Sequence, residues 1–131
     1  MATSSTLIPE DVAQFIIEKI DSVAQMEALL LLRENPQQQW HVAAVAKRLY
    51  IDDEQAGKVL ARLREEELLV AEPSQSIEYR YQPGSLVLSQ IVDRVAEIYS
   101  KHLVPITNLI HSKPKSRVQE FADAFKFRKD E

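Results

Sequence analysis

The sequence contains no cysteine, and only 2 glycines and 1 tryptophan among 131 residues. Without cysteine there is no disulfide framework, no thiolate metal site and no cysteine nucleophile. Two glycines cannot build a glycine-rich phosphate loop, a nucleophile elbow or a dinucleotide-binding turn. With 6 prolines besides, collagen-like and low-complexity architectures are excluded. No run approaches the roughly 18 uncharged apolar residues that cross a bilayer. The start, Met1 to Thr6, has no basic patch and no long apolar run after it, so no secretory signal is read there. A soluble cytoplasmic protein is expected. Hydrophobic residues at 45% and charged residues at 27% are globular values, enough for a small packed core.

Charge is unevenly placed. Residues 1–100 hold 9 Lys/Arg against 16 Asp/Glu, a net of −7, whereas residues 101–131 hold 7 against 4, a net of +3. An acidic body with a basic tail departs from the broad basic face of most nucleic-acid binders.

Apolar spacing organises the chain into helices. After a polar start at 1–8, Pro9 fits the first position of a helix and Glu10 and Asp11 suit its positive end. Val12, Phe15, Ile16 and Ile20 then recur at helical spacing, predicting an amphipathic helix over 9–20. Ser22 with Gln25 is a capping-box pattern. It opens a helix whose run Leu29 to Leu32 leaves little solvent face, and Asn35-Pro36 stops it. Residues 37–40 read as a short extended segment closing on Trp40, and 41–49 as a short helix. Asp52 with Gln55 is a second capping box, and helix follows to about Glu67. Residues 68–71 and 77–81 flank the turn cluster Glu72 to Ser76, predicting a two-stranded hairpin that Pro83-Gly84 ends. From Ser85 a long helix carries Leu88, Ile91, Val95 and Ile98. Pro105 inside it predicts a kink or break near 101–105. Ser116 with Gln119 caps a last short helix bearing Val118, Phe121, Ala122 and Phe125.

The order of helix, short strand, helix, tight turn, helix and hairpin over about residues 22–82 resembles the winged-helix superfamily. The stretch Val45 to Leu63 is similar to its helix-turn-helix, as in MarR-like bacterial regulators. Ala46, Leu49, Ile51, Ala56, Val59, Leu60 and Leu63 supply one apolar surface, and the small alanines let the two helices cross closely. Gly57 is expected to allow close approach by a neighbouring helix or by a bound partner. Such motifs commonly carry Gly where Tyr50 and Glu67 stand, which asks both residues for a strained backbone angle. The resemblance implies a domain at 9–84 and a helical extension at 85–131 for dimerisation or docking. The fold class is mainly α with a small β-hairpin.

In a DNA-binding winged helix the start of the second motif helix enters the major groove. Here that start reads Asp52-Asp53-Glu54-Gln55. These acids serve as cap and first-turn charges, yet their negative potential opposes phosphate binding. Under a DNA-binding reading, Gln55 and Lys58 face bases, while Lys47, Arg48, Arg62 and Arg80 meet phosphates. Catalysis finds no support. Glu65-Glu66-Glu67 is a solvated charge run. His41, His102 and His111 lack metal-ligand spacing, so no cofactor or metal is expected. Trp40, Tyr79 and Tyr81 read as core.

A stripe of Leu88, Ile91, Val95 and Ile98 would stand exposed on a lone winged helix, so 85–104 is expected to pack against 9–20, within one chain or across a homodimer. The tail sets Phe121 and Phe125 among Lys113, Lys115, Arg117, Lys126, Arg128 and Lys129. It has the chemistry to dock on the acidic body, to bind a protein partner or to lie on an anionic membrane. Two functions follow: a homodimeric DNA-binding transcriptional regulator, or a winged-helix protein-interaction module using the acidic helix and basic tail without DNA.

Overall fold

The computed structural model describes residues 7–73 and 76–112. Helix α1 (Glu10–Lys19) starts one position later than expected, with Pro9 as its N-cap residue at φ −55° and ψ 149°. Its buried side chains are Val12, Phe15 and Ile16. Helix α2 (Val23–Glu34) begins where the Ser22 hydroxyl accepts a hydrogen bond from the Gln25 N–H at 3.1 Å. Gln25 is the one polar residue buried among the described residues. Its amide accepts from the Asp21 N–H at 2.8 Å and donates to the Lys19 carbonyl at 2.7 Å, which joins the end of α1 to the start of α2. A buried amide is tolerated because both its ends are satisfied. Within the leucine run, Leu29 and Leu32 are fully buried while Leu30 and Leu31 are only partly so.

Strand β1 (Trp40–His41) leads directly into α3 (Val42–Leu49), and α4 (Asp53–Glu65) follows a tight turn. Both helices end in a left-handed residue. Tyr50 has φ 59° and Glu67 has φ 65°. The Ile51 N–H reaches the Ala46 carbonyl at 3.0 Å, and the Leu68 N–H reaches Leu63 at 3.1 Å. This is the helix stop in which glycine is normally favoured, and the two positions flagged from sequence are the two non-glycine residues with positive φ among those described.

Strands β2 (Leu69–Pro73) and β3 (Ile77–Tyr81) form the expected hairpin. β1 adds to it as a third strand, so the sheet is antiparallel in the order β1-β3-β2, with Trp40 opposite Tyr79 and Ala71 opposite Tyr79 on the other side. The sequence reading placed an extended segment at 37–40 but not its pairing, which is a long-range contact with no local signal. Gly84 closes the base of the hairpin. A Cβ there would lie 3.2 Å from Glu67 Oε1, tighter than ordinary contact.

Helix α5 (Leu86–Lys101) starts at Ser85, whose hydroxyl accepts from the Leu88 N–H at 3.1 Å. His102 leaves the helical region, and residues 103–112 form a further helix, α6. Pro105 sits in the first turn of α6, where its missing N–H leaves no bond unmade. It therefore starts a new helix after the break rather than kinking one continuous helix. Ile106 and Ile110 of α6 are fully buried, in one hydrophobic cluster with Ile8, Val12, Leu29, Leu60, Val92 and Val95. That cluster spans the 84/85 boundary suggested by sequence. Among the described residues, no helix is long and apolar enough to cross a membrane.

Candidate nucleic-acid interface

The surface in question is built on the crossing of α3 and α4. Ala46 and Ala56 are buried there with Val45, Val59, Leu60 and Leu63, so the two backbones come close and α4 is held rigidly with its other face outward. Gly57 is not what permits the crossing. A Cβ at Gly57 would meet Val42 Cγ1 at 3.9 Å, an ordinary contact. The Asp52 carboxylate caps α4 by accepting from the Gln55 N–H at 2.7 Å, as the second capping pattern predicts.

The outward face of α4 carries Asp53, Glu54, Gln55, Lys58, Arg64 and Glu65, all exposed, with Asp52 exposed just before it. Lys58 lies 3.6 Å from Glu54, with the two side chains 78% and 81% exposed. A pair so exposed contributes little and leaves the ammonium free to move. Gln55 and Lys58 thus stand where a base-reading pair would be placed.

The proposed phosphate contacts divide. Lys47 and Arg48, in the last turn of α3, are exposed. Lys47 has no ion pair among the described residues, and the Arg48 guanidinium stands 5.6 Å from the centre of the Trp40 ring. Arg62 is different. It bonds Asp21 at 3.1 Å and Glu66 at 2.8 Å, and Lys19 joins the same Glu66 at 3.0 Å. Arg62 therefore ties α4 to the α1–α2 connection, and its expected availability to phosphate does not hold in this conformation. Its place three residues after buried Val59 puts it on the flank of the apolar stripe, a signal legible from spacing. Arg80 likewise bonds Glu72 at 3.1 Å across the hairpin and Gln82 at 2.9 Å. Arg64 is exposed, has no ion pair among the described residues and lies beside Val70, Ala71 and Gln82. It is not among the phosphate contacts expected from the sequence. Tyr50, singled out from the sequence only for its backbone angle, is 95% exposed in the turn before α4.

Trp40 and Tyr79 are buried at 2% and 7%, and Tyr81 is partly buried, as a core role requires. Burial raises the Tyr81 phenol above its usual range, with the nearby Asp93 charge adding to the shift. Burial and the hydrogen bond to Glu27 do the same to Tyr99. Neither phenol ionises near neutral pH. Among the described residues no three His, Asp or Glu side chains converge to hold a metal ion.

The stripe read as a dimer face is largely occupied within the chain. Val95 is fully buried, and Leu88, Ile91 and Ile98 are packed against the core cluster. Helices α1 and α5 lie together, fastened by Arg94 to Asp11 at 3.0 Å. Of the two packings expected for 85–104 on 9–20, this is the one within the chain, so the stripe itself is no argument for a dimer. Among the described residues, the large exposed apolar side chains are Leu86 and Val87 at the start of α5, Leu103 and Val104 at the start of α6, Leu7, Tyr50 and Ile77. Phe121 and Phe125 lie outside the described residues.

Solved structures share this architecture. The adhesin competence repressor AdcR from Streptococcus pyogenes matches with a TM-score of 0.52 at 16% identity, over 87% of this chain and 84% of that one. A mutant of ZitR from Lactococcus lactis matches at 0.51 and 19% identity, over 82% and 74%. A ZitR mutant in apo form matches at 0.51 and 20%, over 88% and 86%. No family model and no curated protein matches the sequence. The likeness establishes the fold. This chain is a winged helix with helices added on both sides.

Proposed function

We propose that the chain is a non-catalytic transcriptional regulator of MarR-like type that binds duplex DNA as a homodimer. The observation that carries this reading is the presentation of α4. Its buried face is clamped on α3, while Gln55 and Lys58 project from the outer face beside a hairpin, the arrangement by which such helices enter the major groove. That one of the similar folds is a repressor supports the same reading. Gln55 and Lys58 read bases, and Lys47, Arg48 and Arg64 meet phosphates. Arg80 joins them when it leaves Glu72. The dimer forms through the apolar residues left exposed at the start of α6, with α1 and α5 bracing them.

Selection from a randomised duplex pool tests it. The expected outcome is one enriched sequence, bound roughly ten- to a hundredfold more weakly by Lys58→Glu. Failure to enrich any sequence contradicts it. Arg62→Gln should act through stability, since that side chain is committed to Asp21 and Glu66.

One observation favours a second reading. Asp52, Asp53 and Glu54 are all exposed at the leading end of α4, and Arg62 and Arg80 are held by acids. A protein-interaction module uses this surface against a basic partner without meeting DNA; such charge pairing also weakens with salt, so binding to duplex DNA itself separates the two readings.

A further inference from the structure

Helix α2 has more leucine than the core can take, and the excess surfaces in one place. Leu30 and Leu31 are partly exposed, and with Leu49 and Ala96 they floor a groove of about 590 Å³ between α2, the end of α3 and α5. The rim is acidic. Glu27, Glu34, Asp93 and Glu97 stand around it, against Arg33 and Arg48. Of the two cations, Arg33 is paired with Asp93 at 3.0 Å, and Arg48 stands exposed over the Trp40 ring, so four acids face two bases. Glu97 meets only the exposed Lys101, at 3.1 Å. Glu27 accepts from the Tyr99 hydroxyl, and Glu34 has no ion pair among the described residues. The groove thus combines an apolar floor with uncompensated negative charge.

We infer that this groove is the docking site of the chain's own residues 113–131. That segment has the complementary chemistry. Val118, Phe121, Ala122 and Phe125 share one face at helical spacing. Lys113, Lys115 and Arg117 precede them, and Lys126, Arg128 and Lys129 follow. An apolar stripe bracketed by bases suits an apolar floor bracketed by acids. The five residues between Ser112 and Val118 span up to about 17 Å when extended, so the stripe is tethered near the end of α6. A volume of this order is typical of sites that enclose a group the size of the two phenylalanine rings. Docking there joins α2 and α3 of the winged helix to α5 of the extension, which gives the tail control of the angle between them. The inference is independent of DNA binding and is tested without DNA.

The absence of cysteine makes the test direct. Ser100→Cys places a single thiol on the exposed rim of the groove for a nitroxide label in the ¹⁵N-labelled full chain. The expected result is loss of the amide signals of residues 118–127, restored on reducing the nitroxide and abolished by Phe121→Ser with Phe125→Ser. Glu34→Lys should weaken the effect while the amide spectrum of residues 7–112 stays folded. Tail signals unaffected by the label would overturn the inference. So would broadening seen only when labelled and ¹⁵N chains are mixed, which would place a second copy's tail in the groove.

Discussion

At Tyr50 the chain holds a bulky residue in the left-handed region, φ 59°, with its ring 95% exposed. The conformation costs an L residue roughly 1–2 kcal/mol, and glycine returns part of that gain as unfolded-state entropy. Tyr50→Gly should therefore stabilise the fold by roughly 0.5–1 kcal/mol, read as a higher midpoint in urea unfolding. A lower midpoint would mean that the ring makes contacts of its own. Glu67 shares the strain but not the simplicity, because its side chain lies against Gly84. Both strained positions were visible in the sequence, because a helix stop followed at once by another element needs a positive φ, and neither residue is glycine. The fate of Arg62 was less visible. Its spacing put it beside the buried stripe, but its partners Asp21 and Glu66 come from different parts of the chain. Only the fold brings Asp21 to it.

Among the elements, the capped helices were the most legible. Ser22, Asp52 and Ser85 each accept a hydrogen bond from the backbone N–H three residues on, a local contact that local sequence determines. What local sequence could not supply was the third strand. Trp40 and His41 pair with residues 79 and 78 across nearly forty positions. Nor could it show that Pro105 opens α6 instead of bending α5, since both readings place a proline after the same apolar stripe. Gly57 in α4 does not serve the close helix approach that was one of its two expected roles. No neighbour requires the missing side chain, and the nearest atom to an added Cβ is Val42 Cγ1 at 3.9 Å. Gly57→Ala should raise stability by about 0.5–1 kcal/mol through helix propensity alone, seen as an upward shift in thermal midpoint. A fall would show that α3 and α4 approach more closely than this.

For the whole molecule, one core draws on α1, the winged helix, α5 and α6, so the extension is part of the structure that carries α4. The candidate interface was only half legible for that reason. Gln55 and Lys58 follow from helix phase, but the cations left for phosphate depend on which bases the fold has already paired. The exposed Leu103 and Val104, 51% and 65% accessible, lie beyond the Leu88 to Ile98 stripe, at the start of the helix that Pro105 opens. If they form the dimer contact, Val104→Glu should convert a dimer to a monomer in sedimentation equilibrium at micromolar concentration, with the helical content unchanged. A wild-type chain that sediments as a monomer would contradict the dimer.

The central claim is that an acidic molecule binds DNA through a few cations on and beside α4. The salt dependence of its affinity for a selected duplex, followed by fluorescence anisotropy, tests this most directly. The three cations assigned to phosphate, Lys47, Arg48 and Arg64, predict a slope of log affinity against log salt of about −3 per protomer, doubled in a dimer and reduced by about one unit per protomer in Lys47→Gln. A slope near zero, or no binding at low salt, would contradict the account and leave the α4 face to a protein partner.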